Sequence, residues 1–292
     1  MTTIKRVALV ATGVLCVLLL SMGAIPTGAA TASSEAAYKA ATDTDPHRSL
    51  TPSQREMRAK KIQAVSTVLS GTASAKSMTA SLNAAGSTVT LNAAAATSSL
   101  PTSANVTKDQ NPQKKDHWCG PATVNEALGQ LGAWFTQEQL ATALHTTESG
   151  TGWSVGGTSP TGFPVPDVMN SRQSKNYYIP EPVPSTPSDA DVSDYKTFLM
   201  FDIATIRAPV VGDAWTTPQS DYWLVDHPRD RTIYHWFDIY GYRIGGGTTY
   251  TKYEDSVYDA TSVSWYKRVT QPYSELPSHA IAHIIGGRGY VW

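Results

Sequence analysis

The sequence predicts an α+β domain in which helices come first and antiparallel strands follow. Three observations carry that reading. Helix signals cluster between residues 119 and 206, where capping residues precede apolar positions at helical spacing. Beyond them, Thr232 to Tyr242 alternates β-branched and aromatic residues as a strand does. Gly245-Gly246-Gly247 then separates that run from a second, Tyr250 to Val257, as a hairpin turn would. Consecutive helices followed by consecutive strands give α+β rather than alternating α/β architecture.

The chain has 292 residues, 41% hydrophobic and 16% charged. Lys5 and Arg6 precede an apolar run from Val7 to Leu20, and Pro26 and Gly28 lead to the small-x-small site Ala30-Thr31-Ala32. Residues 1–32 therefore read as a secretory signal peptide, which predicts a secreted, extracellular protein without stable membrane insertion after cleavage. Lys and Arg total 23 against 24 Asp and Glu, so the basic surplus expected of a nucleic-acid binder is missing.

Residues 33–107 are dominated by Ala, Ser and Thr, and Ser77 to Thr107 carries no charge. Such composition lacks the large apolar residues that offset ordering entropy, so it predicts a disordered linker, dispensable for folding. One short helix is expected inside it, opened by Ser53-Gln54-Arg55-Glu56 and continued by Ile62, Val65, Val68 and Leu69. A pro-segment that covers an active site is the functional alternative.

At Lys108 the composition changes, and all eight Trp lie beyond it. The folded domain is expected over 108–292. Gly120-Pro121 opens a helix through Ala122, Ala127, Leu128 and Leu131, ended by Gly132. Thr136-Gln137-Glu138-Gln139 is a capping box for a second, short helix. Residues 149–163 read as a loop, and Ser193 begins a helix with Tyr195, Phe198, Leu199, Ile203 and Ile206 on one face. Pro209-Val210-Val211 reads as a short buried strand, and Ile281 to Ile285 as a last one.

Without residues 1–32 the chain keeps one cysteine, Cys119, at the mouth of a helix. Helix N-termini carry partial positive charge, which favours the nucleophilic thiolate. Gly120 leaves room for a substrate backbone, and Gln113 stands six residues upstream, where an amide can help to bind an oxyanion. A buried, unreactive cysteine is the alternative. Of the histidines outside residues 1–32, His47 lies in the linker, His117 is too near the thiol in sequence, and His145 caps a short helix. His227 and His279 neighbour prolines in apparent loops. His235 shares a strand face with Phe237 and Ile239, as a base or as a packed ring, and Asp255 on the returning strand is placed to orient it. His283, in an apolar run, is the rival. The histidines show no metal-ligand spacing and Gly245–Gly247 reads as a turn, so no metal or cofactor is expected.

Gln113-x5-Cys119-Gly120-Pro121-Ala122, then His235-x5-Gly241-Tyr242, then Asp255 after a hairpin, resembles the papain-like cysteine peptidases. The branch it resembles is peptidase family C thirty-nine, the double-glycine leader peptidases and their stand-alone secreted relatives. Leu128-Gly129-Gln130-Leu131-Gly132, the helix start at Thr136 and Arg207-Ala208-Pro209-Val210-Val211 add to the likeness, which spans about 108–265. The family usually has proline after its third residue, where this chain has Ser256. The resemblance implies a papain-like fold of N-terminal helices packed on an antiparallel sheet. It implies Cys119 as nucleophile, His235 as base, Asp255 as orienting residue, Gln113 as oxyanion donor, and a peptide or protein as substrate. A peptidoglycan hydrolase of Cys-His type and an inactive binding domain on the same scaffold are the alternatives. The sequence sets no oligomeric state.

Overall fold

A computed structural model describes residues 34–45, 48–70, 82–84, 87–89 and 100–292. The expected signal peptide, His47 and most of the stretch from Ser77 to Thr107 lie outside the described residues.

Helix α1 covers Ser34–Thr42 and α2 covers Pro52–Leu69. An antiparallel pair, β1 (Leu82–Ala84) and β2 (Ser87–Val89), follows, and then β3 (Ser103–Asn105). Helix α3 runs Cys119–Gln130, α4 Gln137–Ala143 and α5 Pro164–Arg172. Strand β4 (Pro180–Pro182) precedes α6 (Asp189–Phe201), and the long strands are β5 (Val210–Thr216), β6 (Ile233–Gly245) and β7 (Thr248–Glu254). Strand β8 (Tyr273–Pro277), helix α7 (Ser278–Ile284) and strand β9 (Gly289–Val291) complete the chain. The α+β arrangement of helices packed on an antiparallel sheet is therefore present.

Seven strands form one sheet in the order β4-β9-β5-β6-β7-β8, with β3 also paired to β6. Every pairing is antiparallel. Strand β6 is the spine: β5 and β3 pair with its two halves along one edge, and β7 lies along the other. Gly246 and Gly247 turn the β6–β7 hairpin with φ of 57° and 78°, the left-handed pair that a two-residue hairpin loop requires. Ala122, Val124, Ala127 and Leu128 of α3 are wholly buried, and Thr123 Oγ1 donates to Trp236 O at 2.9 Å, tying the helix to β6.

Thr136 caps α4 with Gln139 in a reciprocal box, as its sequence suggests. Other boundaries differ for identifiable reasons. Helix α6 starts at Asp189 because Ser188 caps it with Asp191, an aspartate doing what Glu or Gln does in the usual capping pattern. It then widens into a π turn over Asp202–Ile206, closed by Arg207 at φ 64°. The strand expected over Ile281 to Ile285 is instead part of α7 and its cap. Ala280, Ile281, Ile284 and Ile285 are buried, a spacing of one, three and one that fits a helix and not a strand.

The linker expected over residues 33–107 is corrected where it is described. Helix α2 is capped by Thr51 with Gln54, two residues before the expected start, and Met57, Ala64, Val65 and Val68 join the core. Lys61 is buried, with Nζ 3.0 Å from both Asp202 oxygens and 4.3 Å from the centre of the Trp292 ring. Lys39 of α1 donates to Gly286 O at 2.6 Å, and Asp43 takes Arg288 Nη1 at 2.8 Å. Strand β3 extends the sheet before Lys108. What composition alone misses is that a few charged residues can dock a weakly amphipathic helix when their partners are buried.

Removing one member of a buried ion pair leaves the other uncompensated. Lys61→Met should therefore lower unfolding free energy by about 3–5 kcal/mol, measured by urea denaturation. A change within ±0.5 kcal/mol would mean that α2 does not rest on this pair.

Several carboxyls are buried with too few donors. Burial, then neighbouring carboxylates, raises Glu126, and burial with Glu254 raises Asp238. Burial also pushes Asp213 up to about 8. These groups hold protons in the folded chain that the unfolded chain releases near pH 4, so stability falls as pH climbs from about 4 to about 8. The thermal midpoint should be higher at pH 5 than at pH 8, and the reverse order would contradict this burial.

Candidate active site

Cys119 is the first residue of α3, behind Trp118, whose backbone leaves the helix N-terminus without a side-chain cap. The first N–H groups of a helix have no partner within it, and its dipole favours an anion there. Cys119 as a residue is 9% exposed, at a cleft of about 330 Å³ that Gln113, Thr151, Asp213, His235 and Trp265 also line. No described residue of 34–70 lines this cleft. The docked N-terminal helices flank it instead: Tyr38 bonds Thr232 at its rim, and Asp45 takes the N–H of Trp153, which stacks on Trp236.

Strand β6 delivers His235 opposite Ala214 of β5, and β7 ends at Glu254, just short of Asp255. His235 Nε2 lies 3.2 Å from Asp255 Oδ1, an ion-pair contact off the line of a good hydrogen bond. Burial opposes charge on His235. The Asp255 carboxylate outweighs it, Cys119 adds to the effect, and His235 is raised to about 10. With Nε2 on Asp255, the other ring nitrogen, Nδ1, is the proton site open to the thiol. Burial would likewise push Asp255 up, but the two imidazoles of His227 and His235 hold it well below the usual carboxylate range. The structure thus brings Cys119, His235 and Asp255 together. His283 is elsewhere, on α7 against Tyr222.

Gln113, expected as the oxyanion donor, lines the cleft with its amide engaged inside the protein. Its Nε2 donates to Lys115 O at 2.8 Å and Asp116 O at 2.9 Å, which uses both amide hydrogens. Its Oε1 accepts from Ser256 Oγ at 3.2 Å, and its N–H donates to Ser256 O at 2.8 Å. Gln113 therefore stitches the loop before Cys119 to the loop after Asp255, and Ser256, where the resembled family has proline, supplies the other half of the stitch. Gly120 also differs from expectation. A Cβ there would collide with the Thr151 hydroxyl, so the space is filled by the protein's own side chain.

Sequence reasoning missed His227. Its Nε2 is 2.8 Å from Asp255 Oδ2, with the residue 3% exposed. A histidine before a proline in an irregular stretch gives no periodic signal of burial. His227, His235 and Asp255 offer donor atoms within 4.8 Å of one another, the one such group among the described residues. Those atoms meet in a hydrogen bond from His227 and an ion-pair contact from His235, both made to Asp255.

No family model matches the chain, and no curated protein matches it. Solved structures do. A digestive procathepsin L of Tenebrio molitor larval midgut is 11% identical over 80% of this chain and 78% of its own, with a TM-score of 0.40. A second digestive procathepsin L proteinase of the same source is 14% identical over 68% and 69%, with a TM-score of 0.38. The bromelain protease of Ananas comosus, in complex with an inhibitor, is 12% identical over 66% of this chain and 98% of its own, with a TM-score of 0.36.

Gln113→Leu removes donors from two carbonyls in the loop that leads to Cys119. It should cost about 1–3 kcal/mol of unfolding free energy, measured in urea. Unchanged stability with lost turnover would instead mark Gln113 as an oxyanion donor.

Proposed function

We propose that the chain is a secreted cysteine peptidase of papain-like type, similar to the stand-alone relatives of peptidase family C thirty-nine. The observation that carries this reading is the meeting of Cys119, at a helix N-terminus, with an imidazole held charged by a buried carboxylate. A thiolate and imidazolium pair is the resting state of a thiol nucleophile activated by histidine.

In the proposed reaction the Cys119 sulfur attacks the carbonyl carbon of a peptide bond. The oxyanion is met by N–H groups at the start of α3, which point where that charge develops. His235 Nδ1 then gives its proton to the leaving amine, so that the C–N bond breaks and a thioester remains. Water entering the cleft loses a proton to His235 and attacks the thioester, the C–S bond breaks, and the acid leaves behind the thiolate and the charged imidazole of the resting state. Asp255 keeps the ring oriented and supports its charge at each step. Export of the chain rests on the signal-peptide pattern of residues 1–32.

Iodoacetamide alkylation and digestion of casein test the reading together. The purified protein should digest casein, and alkylation should stop it. Alkylation should remain fast at pH 6, well below the value of about 8.5 at which free cysteine ionises. Cys119→Ala should abolish digestion, and His235→Ala should lower kcat about 10²–10⁴-fold with the fold intact. Digestion of peptidoglycan and not casein would replace this reading with the wall-hydrolase one. No digestion of either, with a thiol as slow as free cysteine, would leave an inactive scaffold.

A further inference from the structure

His227 has no step in the proposed reaction, yet it makes the better-aligned side-chain bond to Asp255. The carboxylate is fully assigned. Oδ2 accepts from His227 Nε2 at 2.8 Å, while Oδ1 accepts the Val257 N–H at 2.9 Å and faces His235 Nε2 at 3.2 Å. The two imidazole rings meet edge to face at 5.0 Å, and Trp265 of the cleft wall packs on His227 at 4.8 Å. The His227 backbone N–H donates to Leu224 O, and Asp226 before it has φ 66°, so a tight turn fixes the ring's approach. The charged and titratable groups facing the ring are Asp255 after β7, His235 on β6 and Asp226 in its own turn. Burial outweighs the attraction of Asp255 and lowers His227. A neutral imidazole has one N–H, and the geometry gives it to Asp255.

We infer that His227 is a positioning residue of the proposed site: a neutral Nε2–H donor that occupies one oxygen of Asp255, keeps the carboxylate an anion and turns its other oxygen to His235. The inference rests on the Cys-His-Asp reading above. A buried carboxylate is unstable as an anion unless its lone pairs are met. Val257 N–H and one imidazole leave Oδ2 bare, so the proton that His235 needs would move toward Asp255. A second imidazole, kept uncharged by burial, meets Oδ2 without adding a competing positive charge.

The test follows Cys119 alkylation by iodoacetamide against pH in the full chain, in His227→Gln and in His227→Met. Nitrogen NMR of the histidine rings in the unsubstituted protein accompanies it. The glutamine amide can present an N–H to Oδ2 and should keep the unsubstituted profile. Methionine fills the space without a donor and should move the profile toward that of free cysteine by about one pH unit, or roughly tenfold in rate at pH 6. At pH 7.5 the His227 ring should be neutral and protonated on Nε2. The inference is overturned if the glutamine variant reacts like the methionine one. It is also overturned if a folded methionine variant reacts like the unsubstituted protein, or if the His227 ring is charged or protonated on Nδ1 at that pH. Should the methionine variant fail to fold, the glutamine profile and the ring nitrogens decide. Failure of the underlying reading looks different: the unsubstituted protein itself then reacts only as free cysteine does.

Discussion

The register of β6 against its neighbours is the constraint on which the cleft depends, because side chains along a strand alternate faces and a slip of one residue would turn His235 away from Asp255. Three features pin that register. The Gly246-Gly247 turn fixes the start of β7, seven consecutive pairs from Val210–Ile239 to Thr216–Ile233 fix β5, and β3 locks the far half of β6. The β6–β7 pairing shifts between Ile239 and Gly241, and Gly241 has no Cβ because the Asn105 side chain and Ala104 O of β3 occupy that space. A short strand outside the expected domain thus helps to set the position of a side chain at the cleft.

Helix α3 meets this frame from the other direction. It is fastened to β6 by Thr123 and to the following loops by Gln113 and Ser256, so its N-terminus and the end of β7 are held by one network. The N-terminal helices add a second layer. Their buried cations, Lys39 and Lys61, find partners on α7's C-terminal turn and on the π turn after α6, and Asp43 and Asp45 lie around Arg288. None of these residues is among those lining the cleft, so their docking braces its rim from outside.

Much of this was legible where the residues act locally. Cys119-Gly120-Pro121 marks a helix start, Thr136 a cap, and the Gly run a hairpin, because each depends on backbone chemistry within four residues. The meeting of His235 with Asp255 was legible in outline, since the hairpin returns β7 along β6, although Asp255 lies one residue past the last paired position, Glu254 with Asp238. What stayed hidden depends on partners distant in sequence. Gln113 looked like a free amide until Lys115 O, Asp116 O and Ser256 claimed its atoms. His227 looked like a loop residue, and α7 looked like a strand because a short apolar run carries either period. The docking of α2 was hidden most deeply, since Lys61 reads as a solvent-facing residue until Asp202, 141 positions away, is seen beneath it.

The site's electrostatics follow from the same burial. A charged imidazole in a dry wall needs an anion behind it, and that anion needs donors of its own. Asp255 meets both demands by dividing its oxygens between two rings and a backbone N–H. One ring is raised by its partners and the other lowered by burial, so two histidines of similar exposure differ in charge at neutral pH. That difference matters chemically. Two imidazolium ions 5.0 Å apart would repel, and each would weaken the other's hold on Asp255. Keeping His227 neutral leaves one positive charge, that of His235, beside the Cys119 side chain.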